Sequence, residues 1–392
     1  MKNLTSPRRV FLAALAAAAL VGCKPSENSA PAAGGGGDTS GDIIVGEFAS
    51  LTGTEAAFGQ SSHKGTQLAF EQVNAAGGAL GRKFKHLVED TQSKAGESAT
   101  IARKFVSRDK VVAVLGEVAS GRSLEAAPVC QQFGVPMISP SSTNPKVTEI
   151  GDFIFRVCFI DPFQGKLISE FATKTLKAKK VAILSDVSSA YSVGLAQYFR
   201  ESFVASGGQI VIEQKYSNKD KDFKAQLTAI KAAGVDGILV PGYYNEVGLI
   251  VKQARELGVM VPMFGGDGWE AQELIQIAGG EALQNTYYST HFSPANKAPE
   301  AQSFVDAFKA RFNGETPDAM AALGYDSARA LVEAIKKAGT TEGKKLKEEL
   351  AAIDFVGATG RTKLDAKRDA AKPAVIITTE GGKFKFLQSI EP

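Results

Sequence analysis

The chain predicts an α/β protein built as two doubly wound parallel-sheet lobes joined by a multi-strand hinge. Two observations carry that expectation. From residue 42 onward, strand-like apolar runs alternate with amphipathic segments of helical length, the pattern of parallel sheets covered by helices on both faces. The alternation also runs through the chain twice, in two series of similar length.

The first series opens with a strand at 42–48 (DIIVGEF) and a polar, glycine-rich loop at 50–54. A helix at 59–76 follows, with apolar Leu68, Phe70 and Val73 and a glycine stop at Gly77-Gly78. Then come a strand at 84–90, a helix at 95–107, a strand at 111–115, a helix at 123–133, and short strands at 136–139 and 153–159. The second series places helices at 164–176, 192–206, 223–233 and 246–257 between strands at 180–185, 209–216, 237–241 and 263–265. After Tyr287 three helices are expected, at 298–312, 318–338 and 344–352. Strands at 361–365, 374–379 and 383–388 read as a closing β-meander. The expected division is 42–160 plus 290–357 for the N-terminal lobe and 161–289 plus 358–392 for the C-terminal lobe.

Residues 1–22 have the parts of an export signal: Lys2, Arg8 and Arg9, then an apolar run at 10–21. That run is too short to span a bilayer, which takes about 20 apolar residues. Cys23 directly after Leu20-Val21-Gly22 resembles the lipobox of bacterial lipoproteins, which implies a lipidated thiol as the first mature residue. Arg8-Arg9-Val10-Phe11-Leu12 resembles a twin-arginine export motif, so the export route and the inner or outer membrane stay open. From Cys23 to residue 41 no large apolar side chain occurs, and the segment reads as a flexible linker.

Residues 1–22 hold three basic residues and no acid, so their removal brings the formal charge of +3 to zero. A neutral body argues against nucleic acid as a partner, and a monomer is expected. Cys130 and Cys158 are either one disulfide or two buried thiols. The three histidines, His63, His86 and His291, are far apart in sequence and no Cys-x-x-Cys occurs, so neither a metal nor a cofactor is expected.

Open parallel sheets bind ligands beyond the carboxyl ends of their strands. The loop 116–121 holds Val118, Ala119 and Ser120 at such an end and offers backbone amides and a hydroxyl to an anion. The loop 139–145 places Ser141, Ser142 and Thr143 between prolines, three hydroxyls suited to a carboxylate. In the second series, Asp267 and Gly268 lie in the loop 265–269, where a carboxylate can pair with an ammonium group. Tyr243 and Tyr191 stand at two further strand ends. Anion-binding groups on one lobe and an acid with aromatic rings on the other fit a zwitterion such as an α-amino acid. An enzyme would need a nucleophile with a base, a metal set or paired carboxylates. No Gly-x-Ser-x-Gly surrounds Ser120 and no histidine lies in these loops, so catalysis is not expected.

Six motifs together carry a more specific resemblance. They are Gly-x-x-x-x-x-Thr-Gly at 46–53, Ala-x-x-x-Val-Asn-x-x-Gly-Gly at 69–78, Met-Ile-Ser-Pro-x-x-Thr-Asn-Pro at 137–145, Gly242-Tyr243-Tyr244, Gly265-Gly266-Asp267-Gly268 and Ala322-Leu323-Gly324-Tyr325-Asp326. With them the body resembles the leucine/isoleucine/valine-binding proteins, type I periplasmic solute-binding components of ABC importers. The resemblance implies that Ser120 and Thr143 hold a ligand carboxylate, with Thr143 and the Ser141 carbonyl also accepting from its ammonium. It implies that Asp267 is the acidic ammonium partner, that Tyr191 and Tyr243 contribute from the second lobe, and that Phe58 closes over the ligand. Val118 and Ala119 would line the side-chain pocket, and an ABC permease would be the partner. Asp267 is one methylene shorter than the glutamate common at its position, and Ser141 is more polar than the usual Ala or Gly. The ligand could therefore be another amino acid, a small amide or urea, and the protein could sense its ligand without transporting it.

Overall fold

A computed structural model describes residues 41–391, so the export signal, Cys23 and most of the linker lie outside the described residues. Five strands form the first sheet: β1 (Ile43–Ala49), β2 (Phe84–Asp90), β3 (Ala113–Leu115), β4 (Met137–Ser139) and β5 (Ile154–Arg156). They run in the order β2-β1-β3-β4-β5, every pair parallel. The next five are β6 (Lys180–Asp186), β7 (Gln209–Tyr216), β8 (Gly237–Leu239), β9 (Met263–Gly265) and β10 (Thr286–Thr290). Their order is β7-β6-β8-β9-β10, which repeats the first sheet strand for strand. Two hairpins complete the strands: β11 (Asp354–Gly357) with β12 (Gly360–Lys363), and β13 (Ala374–Glu380) with β14 (Lys383–Ile390).

Helices cover both faces of each sheet, as a doubly wound fold requires. On the first sheet, Ala56–Ala75, Pro299–Arg311, Ala319–Ala338 and Gly343–Ala351 share one apolar core, while Glu97–Lys104 and Ser120–Phe133 share the opposite one. On the second, Lys224–Ala232, Tyr244–Glu256 and Gln272–Ala278 lie on one face, and Asp161–Glu170 and Ala190–Ala205 on the other. Strands such as β3 and β8 are buried along their whole length, which is why they read as short unbroken apolar runs. Each sheet with its helices forms one lobe. Among the described residues no helix is long and apolar enough to cross a membrane.

Two helices of the first lobe cross very closely. A Cβ on Gly65 would lie 1.9 Å from the Ala321 carbonyl oxygen, and one on Gly324 would lie 2.1 Å from that of Ser62. Only glycine admits backbones at that separation.

The chain passes between the lobes three times, after β5, after β10 and after β12. Arg156 ties two of these passages to the loop after β4. Its Nε lies 2.8 Å from Asp369 Oδ1, while Nη2 donates to the Asn144 carbonyl at 3.0 Å and the Thr148 hydroxyl at 3.0 Å.

The structure corrects two expectations. The closing strands are not one meander: β12 pairs with β11 apart from the large sheets, and only β13 and β14 extend the second sheet, β13 antiparallel to β10 and β14 antiparallel to β13. The helix expected from 123 begins at Ser120, because extended Ala119 already acts as its N-cap residue. After β9 a short 3-10 turn at Asp267–Trp269 precedes the helix Gln272–Ala278. The open question about the thiols is also answered, since Cys130 and Cys158 are both free and buried. Burial pushes each thiol up to about 12, which leaves both unreactive.

Candidate functional site

The repeated strand order puts a topological switch point in each lobe, between β1 and β3 in one and between β6 and β8 in the other. Crevices at such points, beyond the carboxyl ends of the strands, are where open α/β sheets bind ligands. Here the two crevices face each other and are closed. Phe58 meets Tyr243 edge to face with ring centroids 5.5 Å apart, and meets Tyr244 at 4.9 Å. The Ala57 amide donates to the Tyr244 hydroxyl at 3.2 Å, Asn245 Nδ2 donates to the Thr54 carbonyl, and Asn144 Nδ2 donates to the Ala190 carbonyl at 2.8 Å.

Between the lobes lies a small cavity. Its walls are Phe58, Val118, Ser120, Ser141, Thr143, Tyr191, Tyr243, Asp267, Gly268 and Met320. All of the site residues expected from the sequence therefore converge there, except Ala119 and Ser142. Ala119 faces a wider groove at the mouth of the cleft, lined also by Arg122, Asp186 and Lys219. The Ser142 hydroxyl turns inward, 2.9 Å from the Glu117 carbonyl, 3.1 Å from that of Val118 and 2.8 Å from Ser123 Oγ. It fastens two loops together and does not face the cavity.

The remaining polar groups divide by lobe. Ser120 Oγ stands in the first turn of its helix and accepts from the Asn144 amide at 3.2 Å. The Thr143 hydroxyl is buried beside the Asp161 carboxyl and makes no well-formed hydrogen bond. An unpaired buried hydroxyl costs free energy, on the order of 1–3 kcal/mol, until something bonds to it. Opposite, Asp267 is held by Gln164 Nε2, which donates to Oδ1 at 2.9 Å, and by His291 Nε2, 3.1 Å from Oδ2. Ser141 Oγ reaches the same Oδ2 at 3.4 Å across the seam.

The second-lobe aromatics are fixed in turn. Tyr191 and Tyr243 stack with centroids 5.2 Å apart and planes 4° from parallel, and the Tyr191 hydroxyl accepts from the Gly268 amide at 3.1 Å. A Cβ on Gly268 would lie 2.6 Å from the Gly242 carbonyl oxygen, so no side chain can intervene. Burial holds both tyrosine hydroxyls well above their ordinary range, so they stay neutral.

A model of the periplasmic binding protein family matches residues 42–383, nearly the whole described body. The chain belongs to that family. Among curated relatives, this binding protein is 31% identical over 348 residues to the amino acid binding protein of Pseudomonas aeruginosa, covering 88% of this chain and 92% of the relative. It is 33% identical over 302 residues to the Leu/Ile/Val-binding protein BraC3 of Rhizobium johnstonii, covering 77% and 81%. Among solved structures, the leucine-binding protein LivK of Thermotoga maritima superposes with a TM-score of 0.86 at 38% identity, covering 89% of this chain and 99% of that one. The branched-chain amino acid transporter substrate-binding protein LivJ of Streptococcus pneumoniae, solved with isoleucine, gives 0.85 at 38% identity, covering 90% and 100%.

The structure of the binding protein adds groups that the strand-end reading missed. Met320 enters the wall from the first turn of the helix Ala319–Ala338, and nothing in its local pattern marks it. His291 follows β10 directly. Recognising Thr286–Thr290 as a strand would have pointed to His291 by the same strand-end rule. Glu117 is buried under the first-lobe loops, accepting from the Ser50 amide at 2.6 Å and the Ala119 amide at 3.1 Å. Burial, with the nearby Glu55 carboxylate adding, pushes it up to about 7.

Proposed function

We propose that this protein captures an α-amino acid, with a branched aliphatic side chain as the preferred class, and hands it to an ABC permease. Its moving bodies in this reading are 42–160 with 290–357 and 161–289 with 358–392. The observation that carries the proposal is the pairing of an unsatisfied Thr143 hydroxyl with the Asp267 carboxylate on opposite walls of one closed cavity. Ser120, Thr143 and the amides of the first turn suit a carboxylate, and Asp267 with its neutral tyrosines suits an ammonium group. Phe58, Val118 and Met320 provide apolar wall for an aliphatic side chain. The relatives named for leucine, isoleucine and valine support the same class.

The protein acts as a carrier in this reading and performs no reaction. Ligand bridges the lobes and shifts the population toward the closed form, which the permease recognises. Export through residues 1–22 and lipid attachment at Cys23 hold it on the outer side of a bacterial membrane, in the periplasm, as a monomer. A thermal-shift screen of the twenty amino acids, simple amides and urea tests the ligand class. A ligand at 100 times its Kd stabilises the folded state by about 2.7 kcal/mol. Leucine, isoleucine and valine are expected to raise the melting temperature most. A shift with amides or urea and none with any amino acid overturns the reading. Labelled palmitate entering wild type and not Cys23→Ser tests the anchor.

A further inference from the structure

A buried acid stands in the middle of β1, in a strand otherwise made for a core. Glu47 is 2% exposed on a strand flanked by β2 and β3, under the helix Ala56–Ala75. A buried carboxylate needs a cation or a metal ion to compensate it. No lysine or arginine ion pair reaches Glu47 among the described residues, and its close partners are two imidazoles. His63, on the helix, places Nδ1 2.7 Å from Glu47 Oε2. His86, on the neighbouring strand, places Nε2 2.8 Å from the same oxygen. These histidines lie well apart in the sequence, which hid the cluster from spacing rules. Parallel pairing of Val45 with His86 brings the strands into register, and one helical face supplies His63.

His63 Nδ1 is hydrogen-bonded to the acid, and His86 Nε2 is shielded from solvent and within ion-pair distance of the same oxygen without a well-formed hydrogen bond. The ring itself is held by Phe70, with centroids 5.0 Å apart. The three ligand atoms all lie within 4.8 Å of one another. Tetrahedral zinc, with bonds of about 2.0–2.2 Å, separates its ligand atoms by about 3.3 Å. The oxygen–nitrogen separations would open by about half an ångström, which side-chain rotation supplies. The His63 side chain is 25% exposed, so an ion has an entry path and a position for water as fourth ligand.

We propose that Glu47, His63 and His86 form a divalent metal site that takes Zn²⁺, outside the lining of the ligand cavity. Two imidazoles and one carboxylate are a zinc donor set, and imidazole disfavours the hard cations Mg²⁺ and Ca²⁺. Zinc would pin the helix Ala56–Ala75 to the sheet, five residues beyond Phe58 on the same helix.

The test uses the full chain, stripped with a chelator and titrated by calorimetry with Zn²⁺ alone. One Zn²⁺ per chain is expected, with Mg²⁺ and Ca²⁺ giving no comparable heat. Zinc X-ray absorption of the loaded wild type should show two imidazole nitrogens and low-atomic-number oxygen neighbours. His63→Ala and His86→Ala should each weaken Zn²⁺ binding at least tenfold while circular dichroism stays unchanged. No zinc uptake by wild type, or undiminished uptake in the double variant, overturns the proposal. An absorption spectrum lacking imidazole does so without any variant. Amino-acid binding is not the readout, so the outcome is independent of the ligand assignment.

Discussion

His291 Nε2 lies 3.1 Å from Asp267 Oδ2, so a residue just past β10 holds the acid that follows β9 from behind. Gln164 steadies the other oxygen at 2.9 Å. The carboxylate is thereby aimed into the cavity before any ligand arrives, and little ordering remains to be done on binding. Asp267→Asn should weaken amino-acid binding by at least about 2 kcal/mol, the scale for losing a buried charge-assisted partner. Calorimetry checks this, and an unchanged Kd would remove Asp267 from recognition.

Thr143→Val separates recognition from folding. The native hydroxyl makes no well-formed hydrogen bond in the folded protein, so its replacement by an isosteric methyl should leave the ligand-free melting temperature unchanged or slightly raised. Affinity for the amino acid should nevertheless fall by at least about tenfold, which corresponds to about 1.4 kcal/mol. A variant that loses stability and keeps its affinity would show that Thr143 serves the fold alone.

Asp161 gives a pH signature. Both of its carboxylate oxygens are buried beside the Thr143 hydroxyl without a well-formed hydrogen bond, and burial pushes its pKa from 3.8 up to about 8. Between those values the folded state keeps a proton here that the unfolded chain has released. Stability from this group is therefore complete at low pH and declines as pH rises toward 8, by up to about 1.4 kcal/mol per unit. Asp161→Asn lacks that slope. Urea midpoints from pH 5 to 8 should show the variant gaining steadily on wild type, and parallel profiles would refute the assignment.

The helix crossing at Gly65 predicts the opposite of ordinary propensity. Alanine normally stabilises a helix interior relative to glycine by about 1 kcal/mol. Here its Cβ would meet the Ala321 carbonyl, so Gly65→Ala should destabilise by about 1–3 kcal/mol, read as a lower denaturation midpoint. The two helices carry Phe58 and Met320, so amino-acid affinity should fall as well.

How much of this was legible in the sequence follows from the range of each interaction. The strand and helix series could be read because burial on both faces leaves unbroken apolar runs, as at Ala113, Val114 and Leu115. Thr143 and Asp267 could be read because strand ends in parallel sheets all point to one edge. Ser142 could not be told from its neighbours, since its inward turn depends on carbonyls of Glu117 and Val118 from a different loop. Sequence pattern groups β12 with the closing strands and misses its partner β11, because local alternation does not say which sheet a strand joins. Glu47 and His86 meet only through strand register, which no spacing rule contains.

The seam between the lobes has a metric consequence. Phe58 against Tyr244, the Ala57 amide on the Tyr244 hydroxyl, and Asn245 on the Thr54 carbonyl all form at one separation of the lobes. A side chain too long for the space behind Val118 and Met320 would hold those groups apart, and one too short would leave the apolar wall unfilled. In the proposed carrier role the molecule is a caliper: it would grade solutes by length through whether its jaws can meet, and a permease reading the jaws would need no contact with the solute to know its size.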